Sequence, residues 1–565
     1  MKAHALTSLL ALVLAPSLAL APTLARAAPA VASLDAERCA GLKGLAITPA
    51  QIGLATRGAS ITDAVLAPAG GKGPSAFGEH CLVSGEIRPA DPAAPSIQFQ
   101  IALPGAWNGK ALMLGGGGFN GSIPKLSEAP YNLSPAAASP LARGYAVFGG
   151  DGGHQAGGKE PGAFLLNDEA YLNWMGDALK KTRDSAVRVI EAAYGKAPAK
   201  RYFLGGSSGG REGLMVAGRW PTDWDGVIAL YPARNQMVEI MGGLGVNQAL
   251  AAPGAFPSRA KRGVLFQAAL AACDTLDGAK DGVITNVKAC NATFDPAKAT
   301  LNRTPVRCPQ GQDTGDTCLS DSQLKALATI NGVQTFSFPL ASGETSFPGY
   351  NVYTSDTGVP SDSPLQQMVN FLALGSTPPG FPATPAMSLM ATFGDNFVRY
   401  GVARDTSFNP LSLGPKTPGA LAGRISEMSK LDVADRDLSA FAARGGKLIL
   451  MHGAADMIVS PRISETYVEG LRARMGAKKV DGFLRFYEVA GFSHAVSTNF
   501  GAAWDYLTAL ENWTERGVDP AERQIVTDLV GVPGRTRPLC LYPAWPRYKG
   551  AGDINLAASF TCARR

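Results

Sequence analysis

Among residues that carry chemistry, histidine is the scarcest here: five in 565, at His4, His80, His154, His452 and His494. No histidine stands at metal-ligand spacing from a cysteine and no C-x-x-C occurs, which argues against a structural zinc site. Charge is sparse as well. Charged residues make up 17% of the chain, 52 basic against 46 acidic, and no Lys/Arg block underlies the formal +6, so nucleic acid is not an expected partner. Internal repeats are absent. Beyond the N-terminus no apolar run reaches the roughly 20 residues that span a bilayer. What is present suits a folded, loop-rich protein: 46% hydrophobic residues, 66 glycines and 40 prolines.

Met1-Lys2 precedes an apolar run from Leu6 to Ala21 and then Ala25-Arg26-Ala27. A charged start, an apolar stretch and an A-x-A site read as a signal peptide over residues 1–27. The run is short for a membrane anchor and contains Pro16. A periplasmic or secreted protein with no membrane partner is therefore expected. Cysteine usage agrees. Cys39, Cys81, Cys273, Cys290, Cys308, Cys318, Cys540 and Cys562 arrive in sequence-local pairs, which in an oxidising compartment reads as four disulfides. Spacing suggests neighbour pairing among the many connectivities possible.

From about residue 98 to 218, short apolar runs alternate with Gly-rich turns and helical stretches. Lys110–Gly115, Tyr145–Gly149, Arg201–Gly205 and Gly226–Tyr231 read as buried strands, and Tyr171–Tyr194 as one helix. Strand and helix in alternation predict a parallel α/β sheet. Residues 235–440 break the pattern with Pro-, Ser-, Thr- and Gly-rich sequence, and strands resume at Gly446–His452 and Phe483–Tyr487, with a helix near residues 503–516. The expected organisation is one catalytic domain in two parts, 28–234 and 441–565, interrupted by a lid over 235–440.

Gly205-Gly206-Ser207-Ser208-Gly209 fits G-x-S-x-G and falls between a strand and a helix, where that turn lifts a serine Oγ to the sheet edge. Ser207 is the candidate nucleophile. The chain order serine, acid, histidine leaves His452 and His494 as bases. His494 lies in a turn after a strand. His452 ends a strand and reads as a buried histidine satisfied by backbone. Asp456 follows a buried strand at the expected edge, where the rivals Asp432 and Asp481 do not, so the candidate triad is Ser207, Asp456 and His494. The Ser208 N–H is one candidate oxyanion donor. The second should come from Gly115–Gly118; which N–H points inward is open, and Gly117 is taken.

Tyr202–Met215, Trp224–Ala229, Gly115–Gly121, Asp151–His154, His452–Asp456 and Arg537–Pro543 together resemble the tannase/feruloyl esterase family over nearly the whole chain. That resemblance implies an α/β-hydrolase core with a large inserted lid, and hydrolysis of aromatic esters. It also exposes a departure. Family members carry a disulfide between cysteines just before the nucleophile and just after the catalytic histidine, where this chain has Gly206 and Ala495. Packing of small residues is expected to replace the tether, and paired cysteines installed there to form a bridge.

Asp274, Asp277 and Asp281 crowd one Gly-containing loop, and with the carbonyls of Ala279 and Val283 they offer hard oxygen ligands of the kind calcium takes. An acidic solvated turn is the plainer alternative. The resemblance implies a structural calcium ion at this loop, stapled by Cys273 and Cys290. In the lid, residues 335–398 contain no Lys, Arg or His but do contain Phe336, Phe338, Phe347, Tyr350, Tyr353, Phe371, Phe381 and Phe393. Aromatic walls suit a flat aromatic acyl group. The nearest guanidinium, on Arg399, is the one a free carboxylate would want. The expected function is an exported serine esterase acting on small phenolic esters, feruloyl esterase- or tannase-like. A terephthalate monoester hydrolase, an acyltransferase, or a non-catalytic calcium-stabilised binding protein are the alternatives on the same residues.

Overall fold

Ten strands form the main sheet: β1 (Ala46–Ile47), β2 (Ala59–Ala67), β3 (His80–Ile87), β4 (Ile97–Pro104), β5 (Lys110–Leu114), β6 (Ala146–Gly150), β7 (Lys200–Gly206), β8 (Gly226–Leu230), β9 (Lys447–Gly453) and β10 (Leu484–Val489). Their order is β1-β2-β3-β4-β6-β5-β7-β8-β9-β10. The first four pair antiparallel, as does β4 with β6, and every pairing from β6 to β10 is parallel. This computed structural model describes residue 1 and residues 34–564 except 159, 434 and 435. The signal-peptide expectation lies outside the described residues, Met1 apart.

Strand periodicity divides the core. In β8, Val227 and Ala229 join one apolar cluster while Ile228 and Leu230 join another on the opposite face, and β9 does the same with Leu448 and Leu450 against Ile449 and Met451. A sheet buried on both faces explains why these strands read as unbroken apolar runs. A third cluster, including Leu244, Leu265, Leu327, Phe347 and Ile425, belongs mainly to residues 235–440, whose described strands pair only into two-stranded ribbons away from the main sheet. The described residues from Leu34 onward pack as one unit. The sheet and its helices make an α/β fold of the hydrolase type.

The helix expected over Tyr171–Tyr194 is broken. A short turn of helix, Asp168–Leu172, leads through a kink at Asn173–Asp177 into α1 (Ala178–Tyr194). Gly176 causes it. Its φ of 139° is open to glycine, and a Cβ there would overlap Met215 Sδ on α2 (Ser208–Arg219). The four disulfides join neighbours: Cys39–Cys81, Cys273–Cys290, Cys308–Cys318 and Cys540–Cys562. Among the described residues no helix is long and apolar enough to cross a membrane.

Candidate active site

The C-terminal ends of β7, β8, β9 and β10 lie side by side, which brings distant turns to one edge of the sheet. Ser207 occupies the turn from β7 into α2 with φ 59° and ψ −124°, a conformation strained for any residue with a Cβ. The surroundings hold it there. Ser207 N–H donates to Leu230 O, and Ser207 O accepts from the N–H groups of Arg211 and Ala233, each at 3.0 Å. Gly209 lets the helix start approach the loop after β5: its N–H donates to Gly116 O at 3.1 Å, and a Cβ would sit 2.6 Å from that oxygen.

Asp456 follows β9 and is fully buried. Its Oδ1 accepts from the N–H groups of Ile458 and Val459 at 2.8 and 3.0 Å, and Oδ2 lies 2.7 Å from His494 Nδ1. This contact fixes the tautomer that leaves Nε2 of His494 without the proton. Burial would raise the Asp456 carboxyl, but the imidazoles of His494 and His452 outweigh it and hold the group well below the usual carboxylate range. Among the described residues no hydrogen bond joins Ser207 Oγ to His494 Nε2; in enzymes without substrate this contact is commonly loose. The two turns are nonetheless neighbours, because the Tyr231 ring stands between them. Its atoms lie 2.7–2.9 Å from the Cβ position of Gly206, and its centroid is 4.7 Å from that of His494.

His452 does not rest on backbone alone. Its Nε2 faces Asp456 Oδ2 and Val459 O, both at 3.2 Å, and its Nδ1 lies 2.8 Å from Ser464 Oγ. Two acceptors at Nε2 put the proton there, so Nδ1 accepts from the serine hydroxyl. Asp456 thus receives two imidazoles. The rival acids are elsewhere: Asp432 accepts from the N–H groups of Gln236 and Met237 at a helix start, and exposed Asp481 pairs with Arg472.

The Gly115–Gly121 loop is tied down from beneath. Gly115 N–H donates to Leu204 O, Gly116 N–H to buried Glu212 Oε2, and Asn120 Nδ2 to Glu212 Oε1 at 2.7 Å. Ser208 Oγ donates to Gly118 O at 2.8 Å. The amides of Gly117 and Gly118 are then left without a partner among the described residues, as is that of Ser208 at the first position of α2. A helix N-terminus beside unpaired amides favours a developing negative charge.

Of the eight lid aromatics, Phe393 reaches this loop, stacking on Phe119 with centroids 4.0 Å apart. Phe164 and Trp174 extend the cluster from below, each 5.8 Å from Phe119. Phe336, Phe347, Tyr350 and Tyr353 are instead buried in the lid core. Arg399 is engaged, with Asp395 at 3.0 Å and Glu160 at 3.6 Å.

At the acidic loop, Asp274 Oδ1 accepts from Gly282 N–H at 3.1 Å and Asp277 Oδ1 from Ala279 N–H at 2.9 Å. Asp281 accepts from Val283 N–H through one oxygen and from Arg537 through the other. Among the described residues no three acidic, histidine or cysteine side chains converge as a metal-ligand set. One observation does suit a cation: among the described residues, Asp277 Oδ2 is buried without a hydrogen-bond partner.

The tannase and feruloyl esterase profile matches residues 81–563. The chain belongs to this family. Relatives include an uncharacterized esterase of Agrobacterium fabrum, 38% identical over 93% of each chain, and the mono(2-hydroxyethyl) terephthalate hydrolase of Piscinibacter sakaiensis, 34% identical over 86% of this chain and 85% of that one. A probable feruloyl esterase of Arthroderma benhamiae is 29% identical over 83% and 82%. The fold is that of feruloyl esterase B from Aspergillus oryzae, with TM-score 0.72 at 21% identity over 93% of this chain and 99% of that one. With the family comes the reaction class, carboxylic ester hydrolysis.

Sequence reasoning missed the glutamate beneath the glycine loop, the Phe119–Phe393 stack and the second imidazole on Asp456. Glu212 stands within the segment Tyr202–Met215, but nothing in that segment says which way a helical carboxylate turns. The expectation of small-residue packing at Gly206 and Ala495 is corrected. At Gly206 an aromatic ring, that of Tyr231, occupies the position a Cβ would take.

Proposed function

We propose that the protein is an exported serine esterase that hydrolyses aromatic, phenolic carboxylic esters through an acyl-enzyme on Ser207. The observation that carries the reading is the 2.7 Å contact between Asp456 Oδ2 and His494 Nδ1, at the sheet edge that also bears Ser207 on its strained turn. His494 Nε2 takes the proton of Ser207 Oγ as that oxygen attacks the ester carbonyl. The amides of Gly117 and Ser208 bind the oxyanion, and the imidazolium returns its proton to the departing alcohol as the ester C–O bond breaks. Water, deprotonated by the same imidazole, then releases the acid. Asp456 holds the tautomer and stabilises the imidazolium.

The Phe119–Phe393 stack beside the glycine loop supports an aromatic acyl group. Arg399 has its charge met by Asp395 and Glu160, which favours neutral phenolic esters over an acyl group with a free carboxylate. The terephthalate monoester is the second reading, because a 34% identical relative bears that activity in its name. The four disulfides fit an oxidising compartment, periplasmic or extracellular. Asp274, Asp277 and Asp281, with the carbonyls of Ala279 and Val283, would hold a structural Ca2+ ion, which neutralises carboxylate charge there and takes no part in the reaction.

Initial rates on methyl gallate, methyl ferulate, chlorogenate and a terephthalate monoester, with Ser207→Ala in parallel, test the reading. We expect the phenolic esters to turn over fastest and Ser207→Ala to lose at least about 10³-fold in kcat. A clear preference for the terephthalate monoester would transfer the assignment to the second reading, and an active Ser207→Ala would end both.

A further inference from the structure

Tyr231 is 1% exposed and follows β8 directly, with its N–H donating to Met451 O at 2.6 Å. Its ring lies where any side chain at position 206 would project, at 2.7–2.9 Å from that Cβ position, so the glycine before Ser207 and the tyrosine require one another. One end of the ring system faces the base. The centroid is 4.7 Å from that of His494, at an interplanar angle of 57°.

The hydroxyl continues the connection. Tyr231 Oη donates to Asn132 Oδ1 at 3.0 Å, and Asn132 Nδ2 donates to Ala495 O at 3.2 Å and to Ala502 O at 2.9 Å. Two carbonyls on one side and a hydroxyl on the other admit a single amide orientation. Ala495, the residue after His494, has φ 58°, a left-handed conformation that a non-glycine residue keeps only when its neighbours enforce it. Asn132 is itself anchored through its carbonyl, which accepts from Trp504 N–H at 3.1 Å.

We propose that Tyr231 and Asn132 form a strut that positions the His494 imidazole relative to Ser207. Asp456 fixes one ring nitrogen, but a single hydrogen bond leaves the ring able to swing about it. The Tyr231 face limits that swing from the side, and the Asn132 amide holds the backbone from which the imidazole hangs. Both are positioning residues; neither touches the reacting atoms. The inference rests on the role of His494 proposed above.

The test compares wild type, Tyr231→Phe, Asn132→Gly and the double variant, with active sites titrated, and Ser207→Ala at matched protein concentration, all as purified full-length folded enzyme. Phenylalanine keeps the ring and removes the hydroxyl; glycine accepts the positive φ of 61° at position 132. Tyr231→Phe and Asn132→Gly should each lower kcat about tenfold with KM changed less than twofold, since misplacement of a base costs rate and not substrate binding. The double variant should fall no further than Asn132→Gly alone, because the two groups act in series. Unchanged kcat in Tyr231→Phe, with or without a lower Tm, would overturn the strut, as would losses that multiply in the double variant. An active Ser207→Ala marks failure of the underlying reading instead; an inactive Ser207→Ala beside a fully active Tyr231→Phe marks failure of the strut alone.

Discussion

His154 and His452 carry the same imidazole into different surroundings, and the contrast decides what each can do. Every nitrogen of His452 has a partner, Asp456 and Val459 on one side and Ser464 on the other. His154 stacks on Phe164 at 3.6 Å, and its Nδ1 is buried with none among the described residues. Burial lowers its pKa to about 4. Between that value and the ordinary 6.5 the unfolded chain binds the extra proton, so stability is complete above pH 6.5 and is lost as pH falls toward 4. At ~1.4 kcal/mol per unit this amounts to at most about 3.5 kcal/mol. Asp151, whose pKa burial raises to about 6, works in the opposite direction over an overlapping range. The difference between variants therefore isolates the histidine. His154→Phe, which keeps an aromatic ring against Phe164, should lose less Tm than wild type between pH 7 and pH 4.5; equal losses would remove His154 as the sensitive group.

The break at Asn173–Asp177 shows what an element owes to its neighbour. Apolar spacing from Tyr171 to Tyr194 fits one continuous helix, and local propensity contains no stop. Gly176 bends because Met215 of α2 occupies the volume a Cβ would need. Gly176→Ala meets both the positive φ and the overlap, so it should cost more than the ~1 kcal/mol by which alanine ordinarily outranks glycine in a helix, with the sign reversed. Denaturant midpoints of the two proteins measure it, and a midpoint equal to or above wild type would mean the helix straightens without penalty. The same distinction explains what could be read in advance. Strands β5 to β10 announce themselves because both faces are apolar, and Ser207 because glycines flank it at a strand end. In the antiparallel strands β2 and β3 buried positions are interleaved with less buried ones and polar residues stand among the apolar, so they carry no such run. The lid aromatics were identifiable as residues, but their directions belong to packing: Phe393 reaches the glycine loop while Phe347 is buried in the lid core.

At the scale of the whole molecule, the acidic loop is where remote segments meet. Asp281 pairs with Arg537, and its carbonyl accepts from Arg535 Nη1 at 3.0 Å, which ties the lid insertion to the C-terminal tail. Val283 lies against Gly491, three residues before His494, closely enough that a Cβ there would stand 2.9 Å from a Val283 methyl. The Cys273–Cys290 disulfide closes the loop from behind. A Ca2+ ion in this loop would therefore brace the lid, the tail and the turn bearing His494 together. An ion present at 100 times its Kd stabilises by about 2.7 kcal/mol, because it binds the folded chain and not the unfolded one. Chelation with EGTA should lower Tm by a few degrees, added Ca2+ should restore it, and Asp277→Asn should weaken both responses by removing a charged ligand beside the buried, unpartnered oxygen. Activity should follow more weakly, since the ion acts on the frame around His494 and not on the ester. A Tm indifferent to chelator and to added Ca2+ would leave Arg537 as the partner of Asp281 and would remove the ion from the account of how lid, tail and the turn bearing His494 are held together.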